Sequence, residues 1–281
     1  MRWCHQNAFG WWLMRKLLAE PWVSALYGWM NRLPCSRIWI ADFVARMGID
    51  PGECREPLWR FSSFAAFIER EIDLSRRPVD PDRSTCVSPV DGRLLVYDRI
   101  STTQAFAVKH TVFDLRALVG DERIAQRYDG GTAVILRLHL ADYHHFHFPV
   151  DGIPGAPSPL GSRLFAMSPY SHRRTVPYLS QNVRVSTTIA SEHFGNVLMM
   201  EIGAFTVGSV HQAFEPGRHV ARGERKGWFA LGGSCVVLLF ESGALTPDED
   251  LLANTRAGIE TYVRMGEAIG RFPGKAQTGS E

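Results

Sequence analysis

The sequence predicts an α+β fold with N-terminal helices, a mostly antiparallel β body that carries the site, and a C-terminal helix. Three patterns point to it. Apolar residues recur at helical spacing between Ser36 and Ile72, short apolar runs alternate with Gly, Pro and Asp turns from Val87 to Val237, and a marked helix start follows at Thr246. The 281 residues are 45% hydrophobic and 21% charged, which suits a globular chain and excludes wholesale disorder.

The N-terminal stretch stands apart. Trp3, Trp11, Trp12, Trp22 and Trp29 fall within the first thirty positions, among Phe9, Leu13, Met14, Leu17, Leu18, Leu26, Tyr27 and Met30. Arg2, Arg15, Lys16 and Arg32 face only Glu20 in charge. Aromatic bodies with polar tips beside basic residues suit the headgroup layer of a bilayer. The same composition suits two short helices packed on the body and divided by Pro21. No run reaches the roughly 18 to 20 apolar residues of a membrane-spanning helix. The apolar run Ala8 to Met14 is cut by Arg15 and Lys16, which argues against a signal peptide, so the chain is expected to stay where it is made.

Further along, Ser36 to Gly48 reads as a helix, with Ser36 as N-cap, Ile38, Ala41 and Val44 on one face, and Gly48 as its end. Phe61 to Ile72 reads as a second, presenting Phe64, Phe67 and Ile68 together. In the body, Val134, Leu136, Leu138 and Leu140 share one face of a strand. Asn196 to Ile202 and Val236 to Phe240 are further strands, the latter buried on both sides. The last helix takes Thr246 as N-cap, Pro247 as its first residue and Glu249 for a capping box, with Leu252, Ile259, Val263 and Gly266 on one stripe. Residues 1–80 form a helical, membrane-associating region and 81–281 the catalytic domain on this reading.

Composition also bounds the partners. Thirty-one basic against 29 acidic residues leave a net charge of +2, no reason to expect nucleic acid. The five cysteines (Cys4, Cys35, Cys54, Cys86 and Cys235) are odd in number, without a Cys-x-x-Cys pair. That pattern fits a reducing compartment better than a disulfide framework or a zinc site.

Histidine carries the most chemical information. His139, His144, His145 and His147 fall within nine positions after a strand, a density that favours a site over scattered structural histidines. The strand end and Pro149 disfavour chelation, and no second ligand pair at familiar spacing accompanies them, so no metal is expected. Ser88-Pro89-Val90-Asp91-Gly92 is a good turn into a strand, and it also offers Asp91 as a carboxylate that can orient a histidine. Leu231-Gly232-Gly233-Ser234-Cys235 reads as a tight turn or bulge before the apolar strand. It also permits a strained backbone that exposes the Gly233 carbonyl to the Ser234 hydroxyl. A serine hydroxyl needs a base, and the base an orienting acid.

Taken together and in this order, four segments resemble the phosphatidylserine decarboxylase family of pyruvoyl enzymes. They are Ser88 to Gly92, Asp142-Tyr143-His144-His145-Phe146-His147, Ile202 to Val210, and Lys226 to Ser234. The resemblance spans about Phe61 to Gly270. It implies that the chain cuts itself between Gly233 and Ser234, with His147, oriented by Asp91, taking the serine proton. The products are a β chain, 1–233, and an α chain, 234–281, whose Ser234 has become a pyruvoyl cofactor. That ketone forms a Schiff base with phosphatidylserine and accepts the electrons left by CO2. His144 then returns a proton, and phosphatidylethanolamine is released. A substrate held in the bilayer implies peripheral membrane association, on the cytoplasmic face of the cell membrane.

The chain departs from the family in three places. Cys235 stands where threonine is usual after the serine, and His145 where arginine is common. Met167-Ser168-Pro169 replaces a Ser-Val-Asn-Pro segment, followed by Arg173 and Arg174, which are candidates for a lipid phosphate. These departures keep two alternatives in view: a pyruvoyl decarboxylase of another amino-acid substrate, and a lipid-binding relative that does not cleave itself.

Overall fold

The computed structural model describes residues 20–103, 106–108, 111–165, 178–204, 209–231 and 234–274. Residues 1–19, Arg173, Arg174 and Gly233 lie outside them, and with them the greater part of the N-terminal aromatic stretch, the tentative phosphate ligands and one half of the expected cleavage bond.

Helix α1 (Pro21–Arg32) begins at the expected proline, whose preset φ suits a first turn. The single helix expected from Ser36 is divided: a 3-10 turn covers Pro34–Ile38, and α2 (Trp39–Met47) ends at Gly48 with φ of 65°. Ser36 is a staple rather than an N-cap. Its hydroxyl donates to the Leu33 carbonyl at 2.7 Å and accepts the Phe64 N–H at 2.9 Å, tying the first two helices to the third. That third helix, α3 (Phe64–Ile68), is shorter than expected and is capped by Ser63, which accepts the Ala66 N–H at 3.2 Å. Its continuation is lost because Ile72 is drawn into a bridge with Cys54. Ile40, Val44, Phe64, Ala65, Phe67 and Ile68 bury against one another as the core of this layer.

The body follows in chain order: β1 (Thr85–Val87), β2 (Gly92–Tyr97), the hairpin β3 (Phe106–Val108) and β4 (Thr111–Phe113), then α4 (Leu115–Val119) and α5 (Glu122–Arg127). Next come β5 (Thr132–Leu138), β6 (His145–His147), β7 (Ile153–Pro154), β8 (Ser158–Leu160), α6 (Tyr178–Gln181), β9 (Arg184–Ser191), β10 (Gly195–Ile202) and β11 (Ser209–Gln212). The last elements are β12 (Arg225–Ala230), β13 (Ser234–Phe240), β14 (Thr246–Pro247), α7 (Glu249–Arg256), β15 (Thr261–Val263) and β16 (Ala268–Arg271). The large sheet runs β15-β2-β5-β13-β10-β9-β7, with β8 also on β9; smaller sheets run β11-β12-β6 and β1-β16-β14. Neighbouring strands pair antiparallel throughout these sheets.

β13 sits at the centre of the large sheet and is buried on both faces, as its unbroken apolar run predicts. Val236, Leu238 and Phe240 pack with Leu94, Val134, Leu136 and Leu138 on one side. Cys235, Val237 and Leu239 pack with Leu95, Ile135 and Met200 on the other. Leu140 is a correction: it lies beyond β5 and packs on the N-terminal helical core. The C-terminal helix is present as α7, but its start and extent differ. Thr246 and Pro247 form the edge strand β14, opposite Arg271 and Gly270, and Asp248 takes the N-cap position. An edge position is one a proline tolerates. Ile259, Val263 and Gly266 lie past the helix, Val263 in β15 opposite Gly92.

Candidate active site

The turn from Ser88 to Asp91 delivers the first motif. The Ser88 hydroxyl donates to the Val90 carbonyl at 2.7 Å, and the Pro89 carbonyl accepts the backbone N–H of His147 at 2.9 Å. The first two motifs are therefore in contact through their main chains. Asp91 is buried, and its carboxylate is gripped by Arg77: Nε reaches both oxygens at 3.0 Å and Nη2 reaches Oδ2 at 2.7 Å. The Met265 N–H adds a bond of 2.8 Å, and Glu53 takes the far side of Arg77 at 2.9 Å. The expected orienting bond from Asp91 to His147 is thus replaced. A guanidinium fork matches a carboxylate in two places, which a single imidazole N–H does not. A cavity of about 250 Å³ opens beside this cluster, lined by Asp91, Arg77, Arg70, Asp142, Tyr143 and Arg264 among others.

In the small sheet, alternation separates two faces. Phe146 and Phe229 enter the main core, their ring centroids 4.9 Å apart. On the other face rings stack in series: Tyr143 on His145 at 5.0 Å, His145 on Trp228 at 6.1 Å, and Trp228 on His211 at 4.8 Å. His147 shares that second face, its Nδ1–H donating to the Gly223 carbonyl at 2.9 Å and its Nε2 accepting the Tyr143 hydroxyl at 3.3 Å. Burial pushes this imidazole down to about 4, so it is neutral at ordinary pH. His145, in place of the family's arginine, donates from Nε2 to the Glu69 carbonyl at 3.0 Å and is likewise lowered by burial.

His144 points the other way. Trp228 stands opposite His145, and the Phe229 N–H donates to the His144 carbonyl at 2.9 Å. The register therefore sets His144 across from Phe229, on the core face. It is fully buried, and Nδ1–H donates to the Asp142 carbonyl at 2.8 Å. In the neutral ring that bond leaves Nε2 as the proton-accepting atom.

Ser234 opens β13 opposite Leu138. Alternation puts it on the face of Val236, towards the core that Phe146 and Phe229 join. Ser234 is fully buried, and its Oγ has no hydrogen-bond partner among the described residues. One diagonal step away on the same face is Glu201, which stands opposite Val236. Glu201 and Lys226 are both inaccessible to solvent, 2.9 Å apart, and Gln212 bridges them with bonds of 2.8 and 2.7 Å. Burial raises the Glu201 carboxyl and lowers the Lys226 ammonium, while their mutual attraction opposes both shifts. Sequence reasoning passed over Arg77, Tyr143, Glu201 and Lys226. For Glu201 a signal existed: one acid inside Val197-Leu198-Met199-Met200-Glu201-Ile202 demands a buried partner.

Comparison with known proteins agrees with these motifs. A family model described as phosphatidylserine decarboxylase matches residues 64–271. The phosphatidylserine decarboxylase proenzyme of Chlamydia felis is 38% identical over 271 residues, 96% of this chain and 91% of the relative. That of Chlamydia muridarum is 41% identical, covering 88% of this chain and 82% of the relative. That of Chlamydia pneumoniae is 39% identical, covering 91% and 85%. The solved glucose permease IIA of Mycoplasma capricolum, at 13% identity and a TM-score of 0.29 over 66% of this chain and 93% of that one, is too slight a likeness to argue from. With the match running from α3 to the end of β16, and so through every histidine and serine of the site, the chain belongs to the phosphatidylserine decarboxylase family.

Proposed function

We propose that this chain is a self-processing phosphatidylserine decarboxylase, converting phosphatidylserine to phosphatidylethanolamine and CO2 with a pyruvoyl group made from Ser234. The observation that carries the proposal is the Ser234 hydroxyl, sealed from water and without a hydrogen-bond partner among the described residues. A buried polar group without a partner is costly to keep, and this one has no bond to give up before it attacks. The residues therefore fit such a group.

In maturation the Ser234 Oγ attacks the Gly233 carbonyl carbon and its proton passes to a histidine. The C–N bond breaks, the proton goes to the departing amine, and an ester joins the two halves. Loss of the Ser234 Cα proton then expels the Gly233 carboxylate. The remaining enamine takes up water and releases ammonia, leaving the ketone. Once formed, that group supplies an electron sink for the pair left when CO2 departs.

We assign the maturation proton to His147, with Asp91 in support, and proton return in turnover to His144. With Nδ1–H committed to Gly223, the neutral His147 ring has Nε2 as the atom that can accept a proton. A second assignment, with His144 serving both steps, is favoured by its place on the Ser234 side of the small sheet. His147→Ala blocking cleavage while His144→Ala still splits supports the first assignment, and the reverse supports the second.

Peripheral contact with the cytoplasmic face of the cell membrane is part of the proposal. Trp22, Trp29, Trp39 and Trp59 are 57, 60, 50 and 70% exposed, beside Ile38 at 73%. Arg60 lies 5.7 Å from the centre of the Trp59 ring, the aromatic-basic pairing suited to headgroups. Among the described residues no helix is long and apolar enough to cross a membrane. Mass spectrometry tests the central claim: the wild-type chain should yield pieces of 233 and 48 residues, the smaller with a blocked terminus, and Ser234→Ala should stay whole. A wild-type chain that remains uncut, though folded and mixed with phosphatidylserine vesicles, overturns it.

A further inference from the structure

β12 ends at Ala230 in the small sheet, and β13 begins at Ser234 in the middle of the large one. Residues 231–233 thus have roughly 10 Å of contour in which to change sheets. Leu231, the first residue after β12, has φ of 41°, in the left-handed region; among the described residues only Arg99 is another non-glycine with positive φ. Leucine has no short polar side chain to reward that conformation, so its surroundings must impose it.

The surroundings are identifiable. Leu231 is 3% exposed and belongs to the helical core of Ile40, Val44, Phe64, Phe67 and Ile68. Leu140, on the segment that leads from β5 to His144, packs on the same cluster. The chain approaching His144 and the chain approaching Ser234 therefore rest on one apolar support, built from residues far away in sequence. Between Leu231 and Ser234 stand only two glycines, which accept backbone conformations that other residues resist. The described support thus ends at Leu231, three positions before Ser234.

Building on the self-cleavage proposed above, we propose that Leu231 is a positioning residue for that step: the N-terminal helical layer grips its side chain and so anchors the chain that leads into Ser234. Helix α2, which presents the exposed Trp39, is thereby part of the maturation machinery.

Pulse-chase synthesis of the full chain, followed by denaturing electrophoresis, reads the rate of the 233/234 cut. Leu231→Ala should slow it about tenfold or more, equivalent to about 1.4 kcal/mol in the barrier. Leu231→Met, which keeps the volume, should stay within about threefold of wild type. Leu118→Ala, an equal truncation in the separate core between α4 and the large sheet, is the control for lost stability. It should lower the melting temperature comparably and leave the cut unaffected. Val44→Ala, which hollows the grip from the helix side, should slow the cut, and it carries the test if Leu231→Ala does not fold. Cleavage of Leu231→Ala or Val44→Ala at the wild-type rate overturns the proposal, as does equal slowing by Leu118→Ala. A wild-type chain that never splits instead refutes the self-cleavage reading itself.

Discussion

Replacing Arg77 by methionine keeps the length of the side chain and removes the guanidinium that binds Asp91. Asp91 is 2% exposed and Arg77 5%, so the lost bonds, three of 2.7 to 3.0 Å, cannot be replaced by bulk water. Only the Met265 N–H would remain to the carboxylate. Removing one partner of a buried ion pair costs about 3–5 kcal/mol, because the other charge is left uncompensated. At roughly 2–4 °C per kcal/mol for a chain of this size, the melting temperature should fall about 10 °C. The measurement belongs in a Ser234→Ala background, which keeps the chain in one piece. Adding Asp91→Leu should restore much of the loss, since removing both charges removes the penalty. In the cleavable chain, Arg77→Met should also slow maturation, because Asp91 sits in the turn whose Pro89 carbonyl holds the His147 backbone. Melting of Arg77→Met within about 2 °C of its parent would refute the reasoning, since it would mean that Asp91 does not depend on this partner.

Acid should weaken the fold through His147. Its folded value of about 4 lies below the ordinary imidazole value near 6.5, so the unfolded chain binds a proton that the folded chain refuses. This contribution is complete above about pH 6.5, fades as the pH falls towards 4, and amounts to about 3 kcal/mol. Denaturant unfolding of the Ser234→Ala chain at about pH 7.5 and 4.5 should show the loss, and His147→Gln should reduce it; an undiminished loss in the variant assigns it to other groups. Gly227→Ala would set a Cβ 2.0 Å from the His211 carbonyl oxygen and 2.6 Å from Phe146 Cζ. Backbone must move to admit it, so stability should fall by about 1–3 kcal/mol or more, and calorimetry showing no change would mean that the small sheet yields freely. Changing Trp22 and Trp29 together to serine should leave melting nearly unaltered and weaken sedimentation with phosphatidylserine vesicles about tenfold, as expected for surface groups that act only on lipid. Unchanged binding would remove those two residues from the membrane contact.

Local chemistry was legible where it had no competitor. Gly48 ends α2 in the left-handed conformation expected of it, and the unbroken apolar run of β13 marks a strand covered on both faces. The same local rules misled at Thr246 and Pro247. Their capping signals are real, but β16 lies alongside and takes both residues into a strand. Ser36 was recognised as a hydroxyl with capping chemistry, and only the approach of Phe64 gives it a partner distant in sequence, 28 positions away.

Residue types at short spacing were enough for the family, the α+β class, the order of the motifs and the place of Ser234 after two glycines. The tertiary structure alone decided their partnerships. It gave Asp91 to Arg77, turned His144 and His147 to opposite faces of one small sheet, set the Lys226–Glu201 pair on the face of Ser234, and fastened Leu231 to the N-terminal helices. The physical reason is common to all four. A charge, an imidazole or a strained leucine is stabilised by whatever the fold brings within a few ångströms, and strand pairing brings together residues that no short window of sequence contains.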